Sequence, residues 1–223
     1  MVVAVSGYSP GPDDSGGTWL EPTPVRPLSG EERFRGADAR VVDFWRWGFS
    51  DLRENIVRGV LAEFLVARAV GAKEEMRAAW DNFDVQAPGG ARIEVKSSAY
   101  LQSWSQRRPS KIRFAGLTGR TWHAKQGWGP AREVRADVFV FAVHTYQEPA
   151  DYDPTDVSQW EFHVLPARAV REHGGRSVGL PFLTAHGAGV VRWAELAREI
   201  GRAYGIERSD APLEQADDAS PTA

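Results

Sequence analysis

The run Ile93-Glu94-Val95-Lys96 carries the clearest chemistry in this chain. Apolar and charged side chains alternate along it, the period of a strand with one face in a core. Ile93 and Val95 share that face, while Arg92, Glu94, Lys96 and Ser98 share the other, so an acid and a lysine stand side by side. Upstream, Asp84 sits in a second alternating run, Phe83-Asp84-Val85. Two facing carboxylates repel unless a cation lies between them. Hard oxygen donors with room for water and phosphate suit Mg²⁺ or Mn²⁺. Such an ion can deprotonate water and neutralise charge on a scissile phosphate. Lys96, beside Glu94, would position the attacking water and stabilise the pentavalent transition state. The chemistry these residue types can support is phosphodiester hydrolysis.

The elements that must position them follow from pattern. Residues 80–86 and 91–98 read as two strands around Pro88-Gly89-Gly90, a hairpin signal. With the turn centred on Gly89, Asp84 lies opposite Glu94, the apolar set packs together and the polar set converges. A slip of one residue breaks this arrangement, and sequence leaves the register open. Asp81 has the opposite parity to Asp84, so at most one of them joins the site; Asp84 is preferred and Asp81 is the reserve. Before the hairpin, Ser50-Asp51 signals a helix start and Gly71 a stop. At about 100° per residue, Leu52, Ile56, Gly59, Val60, Val66, Ala67 and Val70 form an apolar face with Glu63 in its middle. A carboxylate there is costly unless it is paired or binds metal, so Glu63 is a third candidate ligand. The competing reading is an ion pair with Arg58 or Arg68, and for Asp84 a pair with Arg92.

Further along, a helix is expected around 74–79 and loop or short helix over 99–106. Strands are expected over 111–115, over the nearly continuous apolar run 137–143, and over 160–165. Helices are expected over 166–173 and 191–204. Together these give a mixed α/β (α+β) domain with one mixed sheet. Residues 1–28 are rich in Gly, Pro, Ser and Asp and are expected to be disordered. Residues 29–207 form a single domain, and 208–223 an acidic disordered tail.

Composition narrows the function. There are no cysteines, which excludes disulfides, thiolate metal sites and a cysteine nucleophile. The five histidines, His123, His144, His163, His173 and His186, have no metal-ligand spacing. The opening apolar run is too short for a signal peptide and no stretch approaches a membrane span, so a soluble, cytoplasmic protein is expected. The net charge of −3 hides a local excess of cations. Arg107, Arg108, Lys111, Arg113, Arg120, Lys125, Arg132 and Arg135 face a single acid, Glu133, across one stretch that also holds Trp122 and Trp128. Those cations suit nucleic-acid phosphates and the indoles suit sugar or base contacts; the competing reading is a solvated surface loop.

The order helix Glu63, strand Asp84, then Glu94-Val95-Lys96 resembles the PD-(D/E)xK nuclease superfamily, the restriction-endonuclease-like proteins. The strings around Phe44-Trp45-Arg46-Trp47 and from Lys96 to Trp104 are similar to uncharacterised bacterial members. The resemblance spans roughly residues 55–143. It implies a central mixed sheet flanked by helices and Mg²⁺-dependent (or Mn²⁺-dependent) hydrolysis of DNA. Asp84 and Glu94 become metal ligands, Lys96 the catalytic lysine and Glu63 an accessory acid and ligand. Gln102 would contact a phosphate or orient a water, as a glutamine after the lysine does in some branches. The expected nucleic-acid contacts are Arg107, Arg108, Lys111, Arg113, Arg120 and Lys125. Cutting both strands of a duplex usually takes two sites, so a homodimer is possible. A residue departs from the pattern: Phe83, not proline, precedes the Asp. The alternative function is a non-cleaving nucleic-acid-binding or partner-binding module on the same fold. A metal-free glycosidase with paired acids fits poorly with a lysine beside them and a basic approach.

Overall fold

A computed structural model describes residues 26–73, 77, 83–120, 122, 123, 127–129 and 131–209. Two helices come first, α1 (Val41–Phe49) and α2 (Asn55–Val70). The hairpin strands β1 (Val85–Gln86) and β2 (Arg92–Ala99) follow. Three short strands come next, β3 (Phe114–Ala115), β4 (Trp122–His123) and β5 (Gly127–Trp128). The chain then forms β6 (Val138–His144), β7 (Trp160–Pro166), α3 (Ala167–His173), β8 (Ser177–Val178), α4 (Leu180–Ala185) and α5 (Leu196–Ser209).

The fold is mixed α/β. Its main sheet has four strands in the order β1-β2-β6-β7, with β2 parallel to β6 and the outer pairs antiparallel. Every residue of β6 is buried, because strands flank it on both sides and side chains cover both faces. Val138, Val140 and Ala142 point with Ile93 and Val95 toward α2 and α5, joined by Trp160, Phe162, Leu196 and Ile200. Phe139, Phe141 and Val143 point the other way, into a second core with Phe114, Leu165, Val170, Val178 and Leu183. Full burial of a side chain such as Phe141 contributes roughly 2–3 kcal/mol, and it has no exposed surface. A parallel β2–β6 pair needs a crossover. That connection carries the basic stretch, which forms the small β4–β5 pair rather than a plain loop. β3 pairs with β8 in a further two-stranded sheet.

The hairpin register is the expected one: Val85 faces Ile93 and Gln86 faces Arg92. The face of α2 is so only in part: Val66 is buried, and Ala67 and Val70 pack against the core. Its buried residues are Arg58, Ala62, Leu65 and Val66, whereas Ile56 and Val60, assigned to the core by the helical wheel, are exposed, as is Phe64. This helix is apolar nearly all round, so its own period does not say which side meets the sheet. Consequently Glu63 lies on the flank of the buried stripe and not at its centre. The predicted stop holds: Gly71 ends α2 at φ 63°, a left-handed cap that glycine adopts without a Cβ penalty. The start is later than Ser50-Asp51, at Asn55, where the Glu54 carboxylate accepts from the Ile56 and Val57 amides. The expected C-terminal helix likewise starts late, after a 3₁₀ turn at Trp193–Glu195. α4 was not anticipated. The helix expected over 74–79, the first half of the strand expected over 80–86, and both termini expected to be disordered fall largely or wholly outside the described residues. Among the described residues no helix is long and apolar enough to cross a membrane.

Candidate active site

Among the described residues β1 is Val85–Gln86, paired with Ile93 and Arg92, and no described strand lies beside β2 beyond Ile93. A backbone amide left there would need a partner. Asp84 supplies it: its backbone N–H donates to the Ile93 carbonyl at 3.0 Å, and its Oδ2 accepts from the Val95 N–H at 2.7 Å. The carboxylate is thus tied to the sheet backbone, in line with Glu94 across the hairpin. Asp81, the reserve candidate, lies outside the described residues.

Glu94 and Lys96 project from β2 on the side of Phe139 and Phe141, their neighbours on β6. Lys96 Nζ donates to Glu94 Oε1 at 2.5 Å, and each side chain is only 20% exposed. Burial pushes the Glu94 carboxyl above the ordinary carboxylate value. Lys96 opposes that rise, while the negative charges of Asp84 and Glu63 add to it. Glu94 therefore sits where a further positive charge would be stabilising. The oxygens Asp84 Oδ1 and Glu94 Oε2 accept no hydrogen bond among the described residues. Gly116, at φ 69°, brings its backbone to the edge of Lys96: a Cβ built there would lie 4.0 Å from Nζ.

Glu63 pairs with an arginine. Its two oxygens are engaged by Arg77, through Nε on one side and through Nη2 at 3.0 Å on the other. Among the described residues, no three His, Cys, Asp or Glu side chains gather closely enough to hold a metal ion. Asp84 thus lies opposite Glu94 across the hairpin, and Glu63, close enough to raise the Glu94 carboxyl, is engaged by an arginine. Arg77 had no signal in the sequence beyond being a cation in an expected helix. The alternative pairing of Asp84 with Arg92 is not seen: Arg92 pairs instead with Asp137, at 2.6 Å.

Gln102 is also differently placed. Its Oε1 accepts from Arg58 Nη1 at 3.2 Å and its Nε2 donates to the Ala99 carbonyl at 2.8 Å. Arg58 is 4% exposed, and Asn55 and the Arg53 carbonyl take its other contacts. Both ends of the Gln102 amide therefore join a part-buried network that ties the chain after β2 to α2.

The basic stretch is solvent-facing. Arg107, Arg108, Lys111 and Arg120 are exposed, and no ion pair engages them among the described residues. Arg113 is exposed too, with its Nε on Ser177 Oγ at 2.8 Å. Lys125 lies outside the described residues. A 680 Å³ cleft lies between α2 and the hairpin, lined by Glu63, Asp84, Lys73 and Arg77 and walled by Val60, Phe64, Ala67 and Phe83.

No curated protein matches the chain. Residues 48–178 match the family model described as bacteriophage T4 endonuclease IV. That span runs from the end of α1 to β8 and contains Glu63, Arg77, Asp84, Glu94, Lys96 and the basic stretch. It covers more than half of the chain, which therefore belongs to the bacteriophage T4 endonuclease IV family.

Proposed function

We propose that the protein is a metal-dependent nuclease that hydrolyses DNA phosphodiesters, with Asp84, Glu94 and Lys96 as its reacting groups. The observation that carries this reading is the Glu94–Lys96 pair beside Asp84, inside the segment matched to an endonuclease family. The PD-(D/E)xK pattern, a strand acid followed by acid-x-lysine, supports the same assignment.

The donor set fits Mg²⁺ or Mn²⁺: two hard carboxylates lie opposite each other on the hairpin, each with one oxygen that accepts no hydrogen bond among the described residues. Asp84 and Glu94 would hold the ion. When bound, it supplies Lewis-acid neutralisation of the phosphate and lowers the pKa of water. The chain's own residues do the rest. The Val95 amide fixes the direction of Asp84, so the site does not depend on a free rotamer. Glu94 holds the Lys96 ammonium, which can donate to the attacking water and to the oxygen on which charge develops. The exposed Arg107, Arg108, Lys111 and Arg120 bind the phosphate backbone and steer the substrate.

The test is cleavage of labelled DNA with and without Mg²⁺ or Mn²⁺. Glu94→Gln and Lys96→Ala are expected to abolish cleavage while circular dichroism still shows the native fold. Cleavage at the parent rate by both would sink the assignment. A non-cleaving nucleic-acid-binding module is the second reading, favoured by the occupation of Glu63 by Arg77. It predicts salt-dependent binding with no cleavage in any metal.

A further inference from the structure

The Glu63–Arg77 pair opens onto the cleft beside Asp84, and its geometry suggests a task. Glu63 is 13% exposed at its side chain and Arg77 43%, so a nearly buried carboxylate holds a guanidinium at the cleft surface. The contact is side-on, using Nε and Nη2 of Arg77. The remaining terminal nitrogen, Nη1, has no protein partner among the described residues. An arginine gripped in this way loses little further rotamer freedom on binding and presents a planar fork that matches phosphate. Lys73, exposed in the same cleft, adds a second cation. The volume, 680 Å³, lies within the usual range for pockets that enclose a small molecule. Its walls Val60, Phe64, Ala67 and Phe83 suit a sugar or base. Asp84 lines the cleft as well, so a nucleotide seated there is close to that carboxylate.

We propose that Arg77 binds a phosphate of the substrate strand next to the scissile bond, and that Glu63 is the positioning residue that aims it. This rests on the nuclease reading. It replaces a metal-ligand role for Glu63 with an indirect one.

The test uses the full chain in two measurements. Binding of a labelled DNA oligonucleotide is followed by fluorescence anisotropy in EDTA across a salt series. Mn²⁺ binding without DNA is followed by electron paramagnetic resonance. Arg77→Ala should weaken DNA binding about tenfold, the effect of removing one charge-assisted hydrogen bond. It should also reduce the slope of log K against log salt by about 0.9. Arg77→Lys should keep the slope while losing part of the affinity, because it keeps the charge without the fork. Glu63→Gln should weaken DNA binding less than Arg77→Ala, and all three variants should bind Mn²⁺ like the parent. Unchanged DNA affinity and slope in Arg77→Ala overturns the proposal. So does loss of Mn²⁺ binding in Glu63→Gln with retention in Arg77→Ala, which would make Glu63 a ligand. If the parent binds neither Mn²⁺ nor DNA, the nuclease reading fails and this proposal fails with it.

Discussion

Glu94→Gln separates the chemistry of the site from the stability of the fold. In the folded protein burial pushes the Glu94 carboxyl up, the charges of Asp84 and Glu63 push it further, and Lys96 pulls it back. The net direction is upward, so the fold prefers a neutral group at this position more than water does. Glutamine keeps the shape and keeps an oxygen for Lys96 Nζ. It forfeits the charge assistance of that bond, about 1 kcal/mol. Relief of repulsion and desolvation offsets this or exceeds it. Without metal, Glu94→Gln should therefore be as stable as the parent or up to about 1 kcal/mol more stable. With Mn²⁺ at a hundred times its Kd, the parent gains about 2.7 kcal/mol by mass action. At roughly 2–4 °C per kcal/mol for a chain of this size, that raises Tm by about 5–10 °C. The variant loses this gain with its ligand. Melting followed by circular dichroism, with EDTA or Mn²⁺, reads both effects, and DNA cleavage reads the third. Two results would refute the reasoning. One is a variant less stable than the parent by more than about 2 kcal/mol in EDTA, which would make the ionised carboxylate a structural support. The other is an undiminished Mn²⁺ shift in the variant.

Three further outcomes are expected. Arg107, Arg108 and Lys111 are exposed and form no ion pair among the described residues, so replacing all three by alanine should lower the DNA-binding salt slope by about 0.9 for each phosphate no longer neutralised; an unchanged slope would remove them from the interface. His144 is wholly buried, and desolvation holds its pKa below the ordinary 6.5. The stability it contributes as a neutral ring is present above about pH 6.5 and is lost as pH falls toward the depressed folded value. His144→Gln should therefore flatten urea-measured stability against pH below 6.5, and parallel curves for parent and variant would exclude it as the titrating group. Gly71→Ala should cost about 1 kcal/mol in urea unfolding, since its φ is 63° and a Cβ there meets nothing within 4 Å; the penalty is conformational, and an unchanged midpoint would refute it.

Much of strand β2 was legible in sequence because strand parity is a two-state signal. Ile93 and Val95 alternate with Glu94 and Lys96, and a hairpin turn at Pro88-Gly89-Gly90 leaves few registers that keep the apolar set together. The observed pairing of Val85 with Ile93 is the one that places Asp84 opposite Glu94. The helix was less legible. In α2, Ile56, Val60, Phe64 and Ala67 are as apolar as Ala62, Leu65 and Val66, so periodicity cannot choose the side that meets the sheet. The face that was read as core is exposed at Ile56, and Glu63 moved from the centre of a stripe to its edge.

By itself, then, the sequence determined the local matters: strand parity, the hairpin, the left-handed stop at Gly71, the central apolar strand and the clustering of cations between Arg107 and Arg135. Each depends on interactions within a few residues or on composition alone. The tertiary structure decided which distant groups meet. It gave Glu63 to Arg77, Gln102 to Arg58 and Arg92 to Asp137. A charged side chain pairs with whichever opposite charge the packing of helices on the sheet brings within reach, and no spacing along the chain encodes that distance.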